Sequence, residues 1–226
     1  MPIAIGDIHG CLTPLRLLID RLPPDETLIF LGDYIDRGPD SVGVLHYLQR
    51  LTRERPCRFL LGNHEDLMLK AIEASRHIGT WLMNGGTATI RSYGLEPGEW
   101  MHSPERGAFL EQDRAFVVGL ELYVEDEATI FVHAGIDPNI PNMALQERET
   151  LLWIRERFFR AASAWEGKEI VFGHTPTLLM GLPHGEIFQK GKLYGIDTGC
   201  VYGGVLTALH SRTHEIFQEP SDFSYR

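Results

Sequence analysis

Thiols are scarce in this chain of 226 residues: Cys11, Cys57 and Cys200 are widely spaced and form no CxxC pair. An odd, scattered set supports neither a disulfide framework nor a zinc knuckle, and a reducing cytoplasm is the expected compartment. No stretch of about 18 apolar residues occurs, and the first seven residues, MPIAIGD, lack a basic region ahead of an apolar run, so neither a membrane span nor a leader is expected. Basic residues are also in deficit, 21 Lys and Arg against 31 Asp and Glu, a formal charge of -10. That balance argues against nucleic-acid partners, whose phosphates are held by cationic side chains. A carboxylate excess is compatible with bound divalent cations as well as with a solvated acidic surface. Low-complexity tracts, Gly/Ser linkers and repeat arrays are missing too, and a chain of this length and ordinary apolar content is expected to form one domain over residues 1–226.

What is present is a rhythm. Short apolar runs end in Gly and polar residues, then give way to segments of helical period. Ile3 to Ile5 lead into Gly6-Asp7-Ile8-His9-Gly10; Leu28 to Leu31 lead into Gly32-Asp33-Tyr34-Ile35-Asp36-Arg37-Gly38; Arg58 to Leu61 lead into Gly62-Asn63-His64-Glu65. After the second loop, Pro39 and Asp40 look like helix-start residues, and Val42, Leu45, Leu48 and Leu51 recur at helical spacing. Residues 80–115, broken by Gly85, Gly86, Gly94, Pro97, Gly98 and Pro104, read as short helices and loops. Further strands are expected at 120–124, 129–132, 169–172, 186–188, 193–196 and 205–210, a long loop at 136–142 and a helix at 151–159. The architecture expected is α/β, with mixed sheets covered by helices.

Three of the later strands also end in polar ligand types: His133-Ala134-Gly135, Gly173-His174-Thr175 and Asp197-Thr198-Gly199. Six such loops lie at the carboxyl ends of predicted parallel strands, where open α/β sheets place their ligands. Oxygen and nitrogen donors without thiolate suit Mn, Fe or Zn, and a pair of ions about 3.5–4 Å apart needs a bridging carboxylate, for which Asp33 is the candidate.

The strings around Asp7, Asp33, Asn63, His133 and His174, in this order and over nearly the whole chain, resemble the signature set of PPP-type metallophosphatases, the family of serine/threonine protein phosphatases related to symmetrical diadenosine tetraphosphate hydrolases. A single Gly-Asp pair or strand-end His is more often structural than catalytic; five in order are not explained by coincidence. The resemblance implies a calcineurin-like metallophosphoesterase sandwich, two mixed β-sheets flanked by α-helices, with a dinuclear metal site at the strand ends. It implies that Asp7, His9 and Asp33 bind one divalent ion, and Asp33, Asn63, His133 and His174 the other, manganese being expected ahead of iron or zinc. It further implies that a metal-bound hydroxide attacks the phosphoryl group directly, that His64 protonates the leaving alkoxide with Asp36 fixing its ring, and that Arg37 holds phosphate oxygens beside Asn63. A second phosphate-binding arginine is expected within residues 153–157, with Arg155 as the choice over a surface ion pair.

The bland alternatives are a turn-satisfying role for Asp7 and Asp33, a hydrogen-bonding role for His64 and a helix cap for Asp36, although Asp40 is better placed to cap. His46, His77, His102, His184, His210 and His214 match no motif and read as surface or packing residues, Trp81, Tyr93, Trp100 and Trp165 as core, and Tyr202 as a residue at the mouth of the site. Leu61 stands where many family members have Arg before the Gly-Asn-His-Glu string, which shifts phosphate binding onto Arg37 and Arg155. Phosphorylated proteins or peptides are the expected substrates. Small phosphate esters or dinucleoside polyphosphates, cleaved as by a symmetrical dinucleoside tetraphosphate hydrolase, are the rival, and a non-catalytic metal-stabilised binding module is the alternative from another class.

Overall fold

A computed structural model describes residues 2–103 and 111–223. Its first half runs β1 (Ile3–Ile5), α1 (Leu12–Arg21), β2 (Leu28–Phe30), α2 (Ser41–Leu51), β3 (Cys57–Phe59) and α3 (Asn63–Glu73). The Asp40 carboxylate accepts from the Gly43 amide at 2.8 Å and starts α2, whose Val44, Leu45, Leu48 and Leu51 form one buried face. Short helices follow at Ile78–Trp81, Thr87–Ser92 and Pro97–His102, as their Gly and Pro content predicts. Pro104 lies outside the described residues. The second half contributes β4 (Tyr123–Glu125), β5 (Thr129–Val132), β6 (Glu169–Phe172), β7 (Phe188–Lys190), β8 (Leu193–Gly195), β9 (Val205–His210) and β10 (Ile216–Pro220).

These strands form two mixed sheets, ordered β10-β9-β1-β2-β3 and β4-β5-β6-β8-β7. In each, three strands are parallel (β1, β2, β3; β5, β6, β8) and the outer ones antiparallel. The period-2 alternation of side chains decides how the sheets pack. Ala4, Ile29, Phe131 and Val171 meet in one apolar layer between the sheets, while their neighbours Ile3, Ile5, Leu28 and Phe30 turn out toward α1 and α2. On the far side Ile130, Val132, Ile170 and Phe172 turn toward Leu151 and Phe158. Truncating fully buried Phe131 to Ala would cost about 3–5 kcal/mol.

Several expectations shift. The strand expected at 58–61 ends at Phe59, and the one expected to begin at 120 begins at Tyr123. Between them Glu121 exchanges backbone bonds with Phe59 and Leu61, at 2.9 and 2.7 Å, so the chain there joins the edge of one sheet before entering the other. The strand expected at 186–188 lies at 188–190. The expected helix 151–159 is two helices, Arg148–Trp153 and Glu156–Arg160, broken where Arg155 adopts φ -130, ψ -115. β10 was not anticipated: Phe217-Gln218-Glu219-Pro220 is a half-exposed edge strand without clean alternation, and Pro220 sits at its end, where no ladder donor is needed.

Candidate active site

All six polar loops follow parallel strands, and the two sheets bring their carboxyl ends to one cleft. Glycine makes the approach feasible. A Cβ at Gly62 would collide with Asp33 Oδ1, and one at Gly173 with Asp7 Oδ1, so both carboxylates rest against bare backbone. The loops are held in strained conformations: His9, Asp33, Asp36, Arg37 and His174 have φ between 46 and 72, in the left-handed region. Each such residue costs on the order of 1–3 kcal/mol and persists only when its surroundings over-determine it.

Much of that determination comes from Glu65, to which the sequence reading assigned no role. Its buried carboxylate accepts backbone N–H groups from Asp33 at 3.0, Tyr34 at 2.8, Ile35 at 3.3 and Gly62 at 3.1 Å, locking the Asp33 loop to the first turn of α3. Burial and the neighbouring Asp33 push its pKa up to about 8. Because Asn63 and His64 open α3 rather than lying in a loop, their side chains are fixed relative to Asp33 by helix geometry, and the His64 amide donates to Asp33 Oδ1 at 3.1 Å.

The donors around Asp33 have a definite polarity. His9 Nδ1 donates to the Ile35 carbonyl at 2.7 Å and His133 Nδ1 to the Leu31 carbonyl at 2.8 Å. Burial holds both imidazoles below their usual pKa, His9 further so because Arg37 and His64 are close. Neutral rings that donate through Nδ1 present a lone pair at Nε2. His9 Nε2 lies 3.4 Å from Asp33 Oδ2, and His133 Nε2 lies 3.4 Å from Asp33 Oδ1. A carboxylate flanked by acceptors on both oxygens is stable only where positive charge sits between them. Arg37 Nη1 donates to His9 Nε2 at 2.6 Å and supplies part of that charge. On the other side Asn63 Oδ1 lies 3.0 Å from His133 Nε2 and 2.7 Å from His174 Nδ1, while His174 Nε2 is buried with no partner among the described residues. Burial, His133 and Arg155 keep His174 well below its usual pKa.

Burial opposes ionisation of Asp33, and positive charge on the surrounding histidines, His133 and His64 foremost, or on a cation facing their lone pairs is what draws its pKa below the carboxylate range. Asp7 behaves oppositely: burial, Asp197 and Asp33 push it up, although both its oxygens accept from the His174 amide, at 3.1 and 3.0 Å. Asp197 lies in the loop after β8, in the same cleft, pushed by burial and Asp33 to about 6 while the Gly199 amide donates to it at 3.0 Å. The donor set, hard oxygens and imidazoles with lone pairs converging on Asp33, fits two divalent cations. Geometry gathers two trios within reach of one ion, Asp33 with His133 and His174, and Asp33 with His9 and His64. In the second trio His64 stands where the resemblance would place Asp7.

His64 Nδ1 lies 2.7 Å from Asp36 Oδ2. Asp36 is no helix cap, since Asp40 serves α2; its remaining lone pairs accept from Trp81 Nε1, at 3.1 and 2.9 Å, and from Thr89 Oγ1 at 2.6 Å. Trp81, read as core, is core and also a donor; nothing local in the sequence links it or Thr89 to Asp36. Arg37 and Arg155 both line a cavity of about 540 Å³ next to His174. Arg155 donates to Thr175 Oγ1 at 3.0 Å and to the His174 carbonyl at 3.3 Å, so the break in the expected helix aims it at the cleft rather than at a surface partner. Arg157, the other arginine of that stretch, pairs instead with Asp137 at 2.5 Å. Tyr202 lies under the Arg37 guanidinium, 5.7 Å from ring centre to Cζ, and His184, read as a surface residue, also lines this cavity.

Comparison with known proteins identifies the family and the fold. A family model described as calcineurin-like phosphoesterase matches residues 3–197. The protein named serine/threonine-protein phosphatase 1 of Salmonella typhimurium (strain LT2) is 33% identical over 208 residues, 90% of this chain and 88% of that protein. The asymmetrical bis(5'-nucleosyl)-tetraphosphatase PrpE of Halalkalibacterium halodurans is 27% identical, covering 96% and 92%. Among solved structures, the cold-active protein-tyrosine phosphatase of a psychrophilic Shewanella superposes with a TM-score of 0.62 at 12% identity, covering 96% of this chain and 76% of that one, a likeness of fold.

Proposed function

Since the chain belongs to the calcineurin-like phosphoesterase family, we propose that it is a metal-dependent phosphomonoesterase acting on phosphorylated proteins, a serine/threonine phosphatase with dual-specificity reach. The observation that carries this reading is Asp33 set between the Nε2 lone pairs of His9 and His133, beside an imidazole held by Asp36. Asp7, His9 and Asp33 would hold one divalent cation and Asp33, Asn63, His133 and His174 the other, with manganese ahead of iron or zinc. When bound, such a pair acidifies water to a pKa of about 7 and neutralises charge on the phosphoryl group.

The chain's own residues do the rest. Arg37 and Arg155 bind phosphate oxygens, and their guanidinium forks suit that geometry. His64, with Nδ1 committed to Asp36, offers Nε2 to the departing alkoxide as a general acid. A covalent phosphoenzyme is not needed, and Cys11 and Cys200 are buried. The test is p-nitrophenyl phosphate turnover with and without Mn(II) in the wild type and in His64→Asn. Turnover is expected to require the metal and to fall about 10-fold in the variant, since a nitrophenolate needs little protonation, while turnover of a phosphoserine peptide should fall about 10²–10⁴-fold. Metal-independent turnover or a trapped phosphohistidine would refute the mechanism, and absence of turnover would favour a binding module.

Dinucleoside tetraphosphate hydrolysis is the second reading. It is favoured by the PrpE likeness and by a cavity larger than a phosphoseryl side chain fills. Parallel assays on a phosphoserine peptide and diadenosine tetraphosphate separate the two.

A further inference from the structure

The cavity beside the two arginines is lined on its other walls by Pro176, Leu178 and Leu179 and by Tyr202. Leu178 is 49% and Leu179 73% exposed, two adjacent leucines facing solvent at the wall of this cavity. Both walls are tied to the site. The Thr177 amide donates to the Asp197 carbonyl at 2.8 Å, the turn closes on Gly181 at φ 85, and the Tyr202 amide donates to the Gly199 carbonyl at 2.9 Å. A volume of about 540 Å³ falls within the range of small-ligand sites, roughly 300–1,000 Å³. The side chains of Pro176, Leu178 and Leu179 offer a ligand apolar contact and no hydrogen bond, which suits an aromatic ring able to stack on Tyr202.

We infer that this cavity is the leaving-group subsite and that it takes an aromatic ring joined to the phosphate bound between Arg37 and Arg155. The inference rests on the phosphoesterase reading and specifies its substrate class. Two sources supply such a ring, a phosphotyrosyl side chain, which leaves with the ring on the departing oxygen, and a nucleoside phosphate, which leaves with its nucleobase carried through ribose.

The test measures kcat/KM of the Mn(II)-loaded enzyme for a phosphotyrosine peptide, diadenosine tetraphosphate and a phosphoserine peptide. The proteins are the wild type, Tyr202→Ala, Tyr202→Phe and the double variant Leu178→Ser/Leu179→Ser, whose exposed positions leave the core untouched. The ratio of aromatic to phosphoserine kcat/KM is expected to fall about 10-fold in Tyr202→Ala and in the double variant, mostly through KM, and to be restored in Tyr202→Phe. A fall confined to the phosphotyrosine peptide identifies the aryl source, and one confined to diadenosine tetraphosphate the nucleobase. Unchanged ratios in an active enzyme overturn the subsite alone; an inactive wild type on all three substrates overturns the phosphoesterase reading and the subsite with it.

Discussion

Replacing Asp36 by Asn tests how the acid is positioned. The Asp36 carboxylate accepts from His64 Nδ1 at 2.7 Å, from Trp81 Nε1 at 2.9 Å and from Thr89 Oγ1 at 2.6 Å, all buried. Asparagine has one acceptor oxygen. Set in the place of Oδ1, that oxygen keeps the Thr89 bond and leaves the amide NH2 facing His64 Nδ1; set in the place of Oδ2, it keeps His64 Nδ1 and the nearer Trp81 contact and leaves the NH2 facing Thr89 Oγ1. In the first arrangement Nδ1 must act as an acceptor, and in either one the doubly protonated imidazolium loses the anionic partner that stabilises it. His64 then cannot keep the proton it is to deliver. The expected loss in kcat is about 10²–10⁴-fold, or roughly 3–5 kcal/mol of barrier.

Leaving groups distinguish this from general damage. A phenolate such as p-nitrophenolate departs with little protonation and an alkoxide does not, so Asp36→Asn should slow p-nitrophenyl phosphate about 10-fold and a phosphoserine peptide by the larger factor. The alkaline side of the kcat–pH profile should change as well, because a general acid fails where it has lost its proton and the imidazolium is less stable. Equal losses on both substrates with an unmoved profile would refute the positioning role, and a loss below about threefold would show that His64 is not the acid.

Other expectations concern the metal and the fold. Asp33→Asn should abolish Mn(II) uptake at micromolar concentrations, read by calorimetric titration, while the fold seen by circular dichroism persists; retained stoichiometry of two would refute the bridging role. Gly173→Ala, which drives a methyl group into Asp7 Oδ1, should weaken metal binding by about 10-fold or more and lower the melting temperature, and a wild-type binding isotherm would contradict the close approach. In metal-free protein, Glu65 at about 8 and Asp197 at about 6 bind protons more tightly folded than unfolded. The lowered histidines oppose this only below about pH 6.5, so stability should fall as pH rises from 6.5 to 8, by up to about 1.4 kcal/mol per unit for Glu65. Urea melts in EDTA test the slope, excess Mn(II) should flatten it, and rising stability across that window would refute the assignment. Arg155→Ala should raise KM about 10-fold for every phosphate ester tested; an unchanged KM would return Arg155 to a structural role.

The six polar loops were legible because each is a local pattern, an apolar run followed by glycine and a polar side chain, and because parallel strands always deliver such loops to one end of a sheet. Asp40 as the cap of α2, and hence Asp36 as something else, was legible for the same reason. Chain order and residue type therefore specified the α/β architecture and which side chains converge on Asp33. The tertiary structure alone decided what supports them. Trp81 and Thr89 reach Asp36 across 45 and 53 residues, Glu65 clamps a loop 30 to 32 residues earlier, and Arg155 turns toward the cleft because the helix expected there breaks. Hydrogen bonds between distant residues and the cavity enclosed by Leu178, Leu179 and Tyr202 leave no periodic trace, since they depend on how two sheets pack and not on any one segment's pattern.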